Sequence, residues 1–205
     1  MEQSYAVNKT FDRVNFEDSP IANGEYENCI FKNCNFSNSN LSGVKFIECQ
    51  FNECNLSMSK LTGTLFRDVQ FKDCKMLGLR FDTCSDFGLS FSFENCTLNH
   101  STFYKKKIKK TVFRNSQLQE ADFTECDLAN SLFDNCDLTN TRFEQTILEK
   151  ADFTTAHNYS IDPEINKIKK AKFSLSQLPG LLDKYDIVIN KAFWFLWIRM
   201  SDVHV

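Results

Sequence analysis

Between residues 121 and 143 the chain reads ADFTECDLANSLFDNCDLTNTRF, with Phe or Leu at 123, 128, 133, 138 and 143 and a small side chain two places before each. The period holds far beyond this stretch. With each large apolar centre labelled i, one register runs through every fifth position from Phe11 to Phe81 and a second from Phe93 to Phe153. Twelve residues separate Phe81 from Phe93 where ten are due, so DTCSDFGLSFS takes up two extra, as a bulge near Asp86–Gly88.

A period of five suits no straight element. On an α-helix successive centres rotate by roughly 140° and form no stripe. On a flat strand they alternate between the two faces. The pattern is self-consistent if i and i−2 both point inward from a short extended piece and the chain bends before the next centre. Four bends close a square coil of about 20 residues, and stacked coils pair backbone to backbone at about 4.8 Å. Residues 9–155 then supply about seven coils, a rod of roughly 34 Å.

The pentads ADFTE, CDLAN, CDLTN and CNFSN come close to A(D/N)LxN, the motif of the pentapeptide repeat family, which the chain resembles from residue 9 to about 155. The resemblance implies an all-β fold: a right-handed quadrilateral parallel β-helix closed by a short C-terminal helix and strand. The chain then divides into a β-helix over 1–156, with its register break near 82–92, and a C-terminal part over 157–205. In the latter, IKKAKF can pair once more as a strand. Ser176 followed by QLPGLLDKY reads as a capped short helix with Leu178, Leu181, Leu182 and Tyr185 on one face. Ile187, Val188 and Ile189 read as a short strand.

A solenoid's last coil exposes core and needs a cap. In similar family members such a helix and strand make a two-fold contact, so the resemblance implies a homodimer through Leu178, Leu181, Leu182 and Tyr185. The tail KAFWFLWIRMSDVHV departs from the family pattern. Its seven apolar residues, AFWFLWI, are too few to span a bilayer. Burial in a dimer seam, contact with a membrane and an extension without a fixed fold all stay open; packing against the C-terminal end is preferred and no membrane partner is expected.

Composition changes the picture in three places. Only 6 Gly and 3 Pro occur, so long loops are not expected. MEQSYAVNKT has no basic segment followed by an apolar run, so a soluble cytoplasmic protein is expected. Of the 9 cysteines, Cys29, Cys34, Cys49, Cys54, Cys74, Cys96, Cys126 and Cys136 sit at i−2, and Cys84 joins them if the first register is extended. Ala, Ser, Thr and Val fill most other i−2 sites, so the position takes a small packing group, which free Cys supplies. Cys34, Cys54 and Cys74 should stack in a column; inert core is the favoured reading of it and a metal-binding ladder of thiolates the alternative. His100, His157 and His204 lie far apart and share no metal spacing, and no Gly-rich phosphate loop occurs. No catalytic residue, cofactor or metal is expected.

Net charge is −3, but its distribution is uneven. Residues 116–156 carry nine acids against Arg142 and Lys150, while 105–115 carry Lys105, Lys106, Lys107, Lys109, Lys110 and Arg114 without an acid. In the acidic block the 20-residue register sets Asp122 under Arg142 and Asp134 over Arg114, as a solvated polar surface requires. In the first half Glu48 stacks on Asp68 and Glu53 on Asp73, where like charges are mildly destabilising. These four form a candidate acidic interaction surface unless Arg67 and Lys72 neutralise them. The five lysines form a candidate basic patch, or a solvated basic face; Lys106 falls at i−2 and should snorkel outward or distort its corner.

The chain is similar to the quinolone-resistance, Qnr-type group, acidic rods the size of B-DNA. The resemblance implies a non-enzymatic DNA mimic whose partner is DNA gyrase or topoisomerase IV, without direct binding of nucleic acid. The alternative is a generic protein–protein interaction or structural module. The projecting loops of that group are absent here, since 103, 108 and 113 stay in register.

Overall fold

The computed structural model describes residues 4–190, and the tail 191–205 lies outside them. Thirteen short strands carry the described chain: β1 (Ser4–Val7), β2 (Thr10–Asp12), β3 (Gly24–Glu27), β4 (Ile30–Lys32), β5 (Lys45–Ile47), β6 (Gln50–Asn52), β7 (Leu65–Arg67), β8 (Val69–Lys72), β9 (Phe91–Glu94), β10 (Val112–Arg114), β11 (Leu132–Asp134), β12 (Asp152–Phe153) and β13 (Lys172–Phe173). All pair in parallel. One sheet has the order β1-β3-β5-β7, and the other runs β2-β4-β6-β8-β9-β10-β11-β12-β13 up the whole rod. Partners are 20 residues apart, as in Phe31↔Phe51 and Phe113↔Phe133, except at the break, where Phe71 meets Phe93. The two remaining faces are held by single bridges such as Asn35↔Asn55 and Asp122↔Arg142. This is the quadrilateral parallel β-helix. It makes eight full turns rather than seven, because pairing continues to Ser4 at one end and Phe173 at the other.

Positions i and i−2 fill the core. The largest fully buried side chains are all phenylalanines at i, and every cysteine is buried and free. Cys34, Cys54, Cys74 and Cys96 follow one another up one face, each thiol donating to a backbone carbonyl of the coil below, from Phe11, Phe31, Phe51 and Phe71. Burial pushes the thiols of Cys49, Cys84, Cys126 and Cys136 up to about 12, so they stay protonated. Among the described residues no group of three or more His, Cys, Asp or Glu is placed to hold a metal ion.

The bends sit at i+2. Among the described residues twenty-five non-glycine residues have positive φ, and within the regular coils they fall at this position; ten are asparagine, which tolerates the left-handed region best after glycine. The i+2 N–H donates to the coil above, as from Asn28 to Ile47 O at 2.9 Å and from Asn115 to Asp134 O at 2.8 Å. The corner is therefore part of the ladder, and its side chain points to solvent.

The break lies where the spacing placed it. Phe81–Thr83 form a 3-10 turn, Gly88 has φ +63°, and regular pairing resumes at β9. The first sheet ends below it, at β7. There the second aromatic column changes face: Tyr26, Phe46 and Phe66 stack below the break, and Phe81, Phe103, Phe123 and Phe143 stack above it on the neighbouring face.

The C-terminal cap carries the expected short helix but differs in detail. The helix is a 3-10 helix over Leu175–Leu181 with Pro179 inside it, followed by a second over Asp183–Tyr185. Ser174, not Ser176, precedes it, and its side chain makes no capping bond. Pro179 supplies no N–H for an α-helical ladder in so short a segment, so tighter i→i+3 turns take over. Ile187–Ile189 do not form a strand, because within one chain no neighbouring strand is there to pair with them.

Candidate functional site

The four acids singled out from sequence occupy corners. Glu48 and Asp68 stand on successive rungs of one edge of the nine-stranded face, Glu53 and Asp73 on the opposite edge. All four are exposed at φ between 51° and 55°. The ladder holds their backbones: Glu48 N–H donates to Arg67 O at 2.8 Å and Glu53 N–H to Lys72 O at 2.9 Å. Between the edges, Gln50 and Asn52 of β6 and Gln70 of β8 present neutral amides outward, and Lys72 of β8 stands beside Asn52. Asp68 takes a hydrogen bond from Ser90 Oγ at 2.9 Å, and Asp73 one from Asn95 Nδ2 at 2.8 Å. Among the described residues none of the four carboxylates pairs with a cation. The expected neutralisers do not reach them: Lys72 pairs with Glu94 at 3.3 Å, and Arg67 makes no ion pair among the described residues.

The acidic block at 116–156 is different in kind. Glu120, Glu125, Asp127, Asp134 and Asp152 pair with His100, Lys105, Lys109, Arg114 and Lys172, at 3.0–3.5 Å. Arg142 turns toward Glu144 at 3.7 Å instead of Asp122, whose carboxylate accepts the Thr124 N–H at 2.9 Å. Burial raises the Asp137 carboxyl, but donors on Thr139, Asn158 and Gln119 outweigh it and hold the group down to about 2. A depressed carboxyl contributes stability above its unfolded value near 4, and that contribution is lost as pH falls through about 2. Asp137→Asn is therefore expected to flatten the fall of the melting temperature between pH 4 and pH 2. A variant whose acid profile matches the parent's would remove Asp137 from the acid response.

The lysines divide. Lys105 pairs with Glu125 and lies over the Tyr104 ring, 4.8 Å from its centre. Lys109 pairs with Asp127 at 3.1 Å. Lys107 and Lys110 are exposed and make no ion pair among the described residues. Lys106 does not snorkel outward. It is 5% exposed, and its Nζ donates to Cys84 O and to Asp86 Oδ1, both at 2.7 Å. The bulge makes the room: its carbonyl and carboxylate satisfy an ammonium that no regular coil could hold.

At the C-terminal end Leu178, Leu182 and Tyr185 are exposed and Leu181 is half-buried against the core. The cap is tied down by Lys184, which reaches Asp162 and Glu164 at 2.7 Å each, and by Tyr185 Oη donating to Glu164 at 2.8 Å. The tail AFWFLWI lies outside the described residues. No helix among those described is long and apolar enough to cross a membrane.

The family model for the pentapeptide repeat region matches residues 24–86, 44–118 and 85–178. The chain belongs to the pentapeptide repeat family. Among solved structures, this pentapeptide repeat protein is similar in fold to a trypsin-treated variant of QnrB1, described as a plasmid-mediated fluoroquinolone resistance protein. The TM-score is 0.58 at 21% identity, over 90% of this chain and 97% of that one. A second trypsin-treated QnrB1 variant gives 0.58 at 19% identity with the same coverage. HetL, a pentapeptide repeat protein involved in heterocyst differentiation regulation from the cyanobacterium Nostoc, scores 0.34 at 12% identity, over 82% of this chain and 86% of that one. No curated protein matches the sequence.

Sequence reasoning missed two features of the surface. It did not find the i+2 corner as the conformational site, although the Asn-rich pentad ends carry that signal. It also treated Lys106 and the bulge as separate anomalies, although the 20-residue spacing from Asp86 to Lys106 links them.

Proposed function

We propose that this protein is a non-enzymatic binding rod that imitates duplex DNA and occupies the DNA-contacting surface of DNA gyrase or topoisomerase IV. One observation carries this reading: two exposed acidic edges without cation partners among the described residues, Glu48/Asp68 and Glu53/Asp73, flank a polar strip of three amides, Gln50, Asn52 and Gln70, and Lys72, whose charge is taken up by Glu94. Duplex DNA offers the same order of features, two negative backbones beside a groove of hydrogen-bonding edges, and proteins that bind it carry cations placed for phosphates. The rod-like fold shared with QnrB1 supports the choice of partner. The apolar C-terminal end, where Val188 is 97% exposed, supports a homodimer through the cap.

Titration into a gyrase supercoiling assay, with and without a fluoroquinolone, is expected to show inhibition or drug protection at micromolar protein. Glu48→Lys/Glu53→Lys/Asp68→Lys/Asp73→Lys should weaken it by at least about tenfold and reduce its salt dependence. Lysine already occupies the same kind of corner at Lys105, Lys110, Lys150 and Lys170, so the variant is compatible with the fold. A parent protein inert in both assays would overturn the reading; an active parent with a fully active variant would clear these residues.

A further inference from the structure

Phe87 is the one phenylalanine among the described residues that is exposed, at 72%, and it sits on the two-residue bulge. The rod spends its other described phenylalanines on the core. An aromatic held out in water costs apolar hydration, and a surface of this kind marks a contact.

The bulge is held in place from above. At the equivalent inward position of other coils a small side chain donates to a carbonyl below: Thr64 to Leu41 O at 2.7 Å, Cys126 to Phe103 O at 2.7 Å, Thr146 to Phe123 O at 2.9 Å. Lys106 replaces that short reach with a long one, gripping Cys84 O and Asp86 on either side of Ser85. Asp86 is mostly exposed, so the ion pair itself adds little stability. What the two bonds supply is position: they stake the backbone next to Phe87.

Cations flank the bulge, with Asp68 and the Lys106-paired Asp86 between them. Among the described residues Lys107 and Lys110, on the coil above, make no ion pair. Below, the Arg67 side chain lies under the bulge, its Cδ 3.3 Å from where a Cβ on Gly88 would fall, and it too makes no ion pair. Beside the bulge a shallow recess opens between Asp68 and Ser90 on one side and Lys109 and Lys110 on the other.

We propose that this bulge is a docking site for an acidic, extended segment of a partner protein. Phe87 is its apolar anchor, Arg67, Lys107 and Lys110 meet the partner's carboxylates, and Lys106 is a positioning residue. A buried aromatic ringed by charge-complementary contacts is how compact protein interfaces concentrate their affinity. A nucleic acid fits less well. The free cations cluster around one bulge and do not track a backbone, Asp68 and Asp86 stand among them, and a single aromatic gives no run of stacking platforms. The site adjoins the acidic edge at Asp68, but its own residues are Phe87 and the cations, so peptide binding and topoisomerase activity are read separately.

The test uses the full chain and two fluorescein-labelled probes, a glutamate-rich peptide with interspersed leucines and a single-stranded oligonucleotide, followed by fluorescence anisotropy. The peptide is expected to saturate, with affinity falling as salt rises. Phe87→Ser should weaken it by about tenfold, and Lys107→Glu/Lys110→Glu should abolish binding. All three positions are exposed, so these variants keep the parent's circular dichroism and melting curve. Lys106→Met, if it folds, should weaken the peptide without touching it, and Phe87→Ser should then cost little more in that background. No saturation by the peptide overturns the proposal. So does peptide binding indifferent to Phe87→Ser, or tighter binding of the oligonucleotide that the lysine variant abolishes.

Discussion

Phe133→Ala is expected to destabilise the protein by about 3–5 kcal/mol, seen as a lower urea midpoint at unchanged slope. The magnitude follows from where Phe133 stands. Nine phenylalanines stack without interruption up one face: Phe11, Phe31, Phe51, Phe71, Phe93, Phe113, Phe133, Phe153 and Phe173, with ring centres 4.6–5.4 Å apart. Phe133 meets Phe113 at 4.9 Å and Phe153 at 4.6 Å, and the edges of Phe123 and Phe143 close its sides. Alanine leaves a gap bounded above and below by paired backbones, and coils locked at a strand spacing cannot collapse into it. Phe173→Ala removes a ring that is half-buried and stacked on one side only, so it should cost clearly less. A loss below about 1 kcal/mol at Phe133 would mean that the column repacks freely and does not carry the stability assigned to it.

Gly180→Ala is expected to undock the C-terminal cap while leaving the coils below intact. A Cβ at residue 180 would fall 2.1 Å from Tyr159 O and 3.0 Å from the Tyr159 ring, and Gly180 O accepts the Ile161 N–H at 2.9 Å. The clash is with backbone, so no rotamer relieves it. Once the cap lifts, Tyr159 and Ile161, now 3% and 1% exposed, face water. Each coil contacts only its neighbours, so the damage stays local. Faster tryptic cleavage after Lys184 and faster exchange of the Ile161 amide should accompany a largely preserved far-ultraviolet spectrum. Light scattering should show the proposed dimer lost as well. Leu182→Lys, exposed on a cap that stays docked, separates the two effects: it should abolish the dimer and leave Ile161 protected. Unchanged cleavage and exchange in Gly180→Ala would show that the cap is not seated as described.

Much of this was legible before any coordinates. The five-residue period demanded inward i and i−2 positions, and Phe31, Cys34, Leu128 and Cys136 are buried as that period requires. The twelve residues between Phe81 and Phe93 located the bulge. The lysine band and the stacked acids were visible as columns, because a 20-residue register turns sequence separation into vertical neighbourhood. What failed were inferences about individual side chains. Arg142 chose Glu144 over Asp122, and Lys72 chose Glu94 over the acidic corners, because a long flexible side chain on a corner or edge reaches several carboxylates at once. The short helix of the cap was legible, but its 3-10 winding and the missing strand at Ile187–Ile189 were not, because a short segment holding Pro179 has no repeat to average over its local preferences.

By itself, then, the sequence determined the path of the backbone. A strict period leaves only one way to bury every centre, and each coil repeats the same solution. The tertiary structure alone decided how side chains settle at the break and along the edges: that Lys106 turns inward because the bulge supplies its acceptors, that Phe87 faces water, and that four carboxylates stand without cations among the described residues. Those outcomes depend on which groups meet across coils, and a period describes where residues lie in the column without saying which partner each one takes.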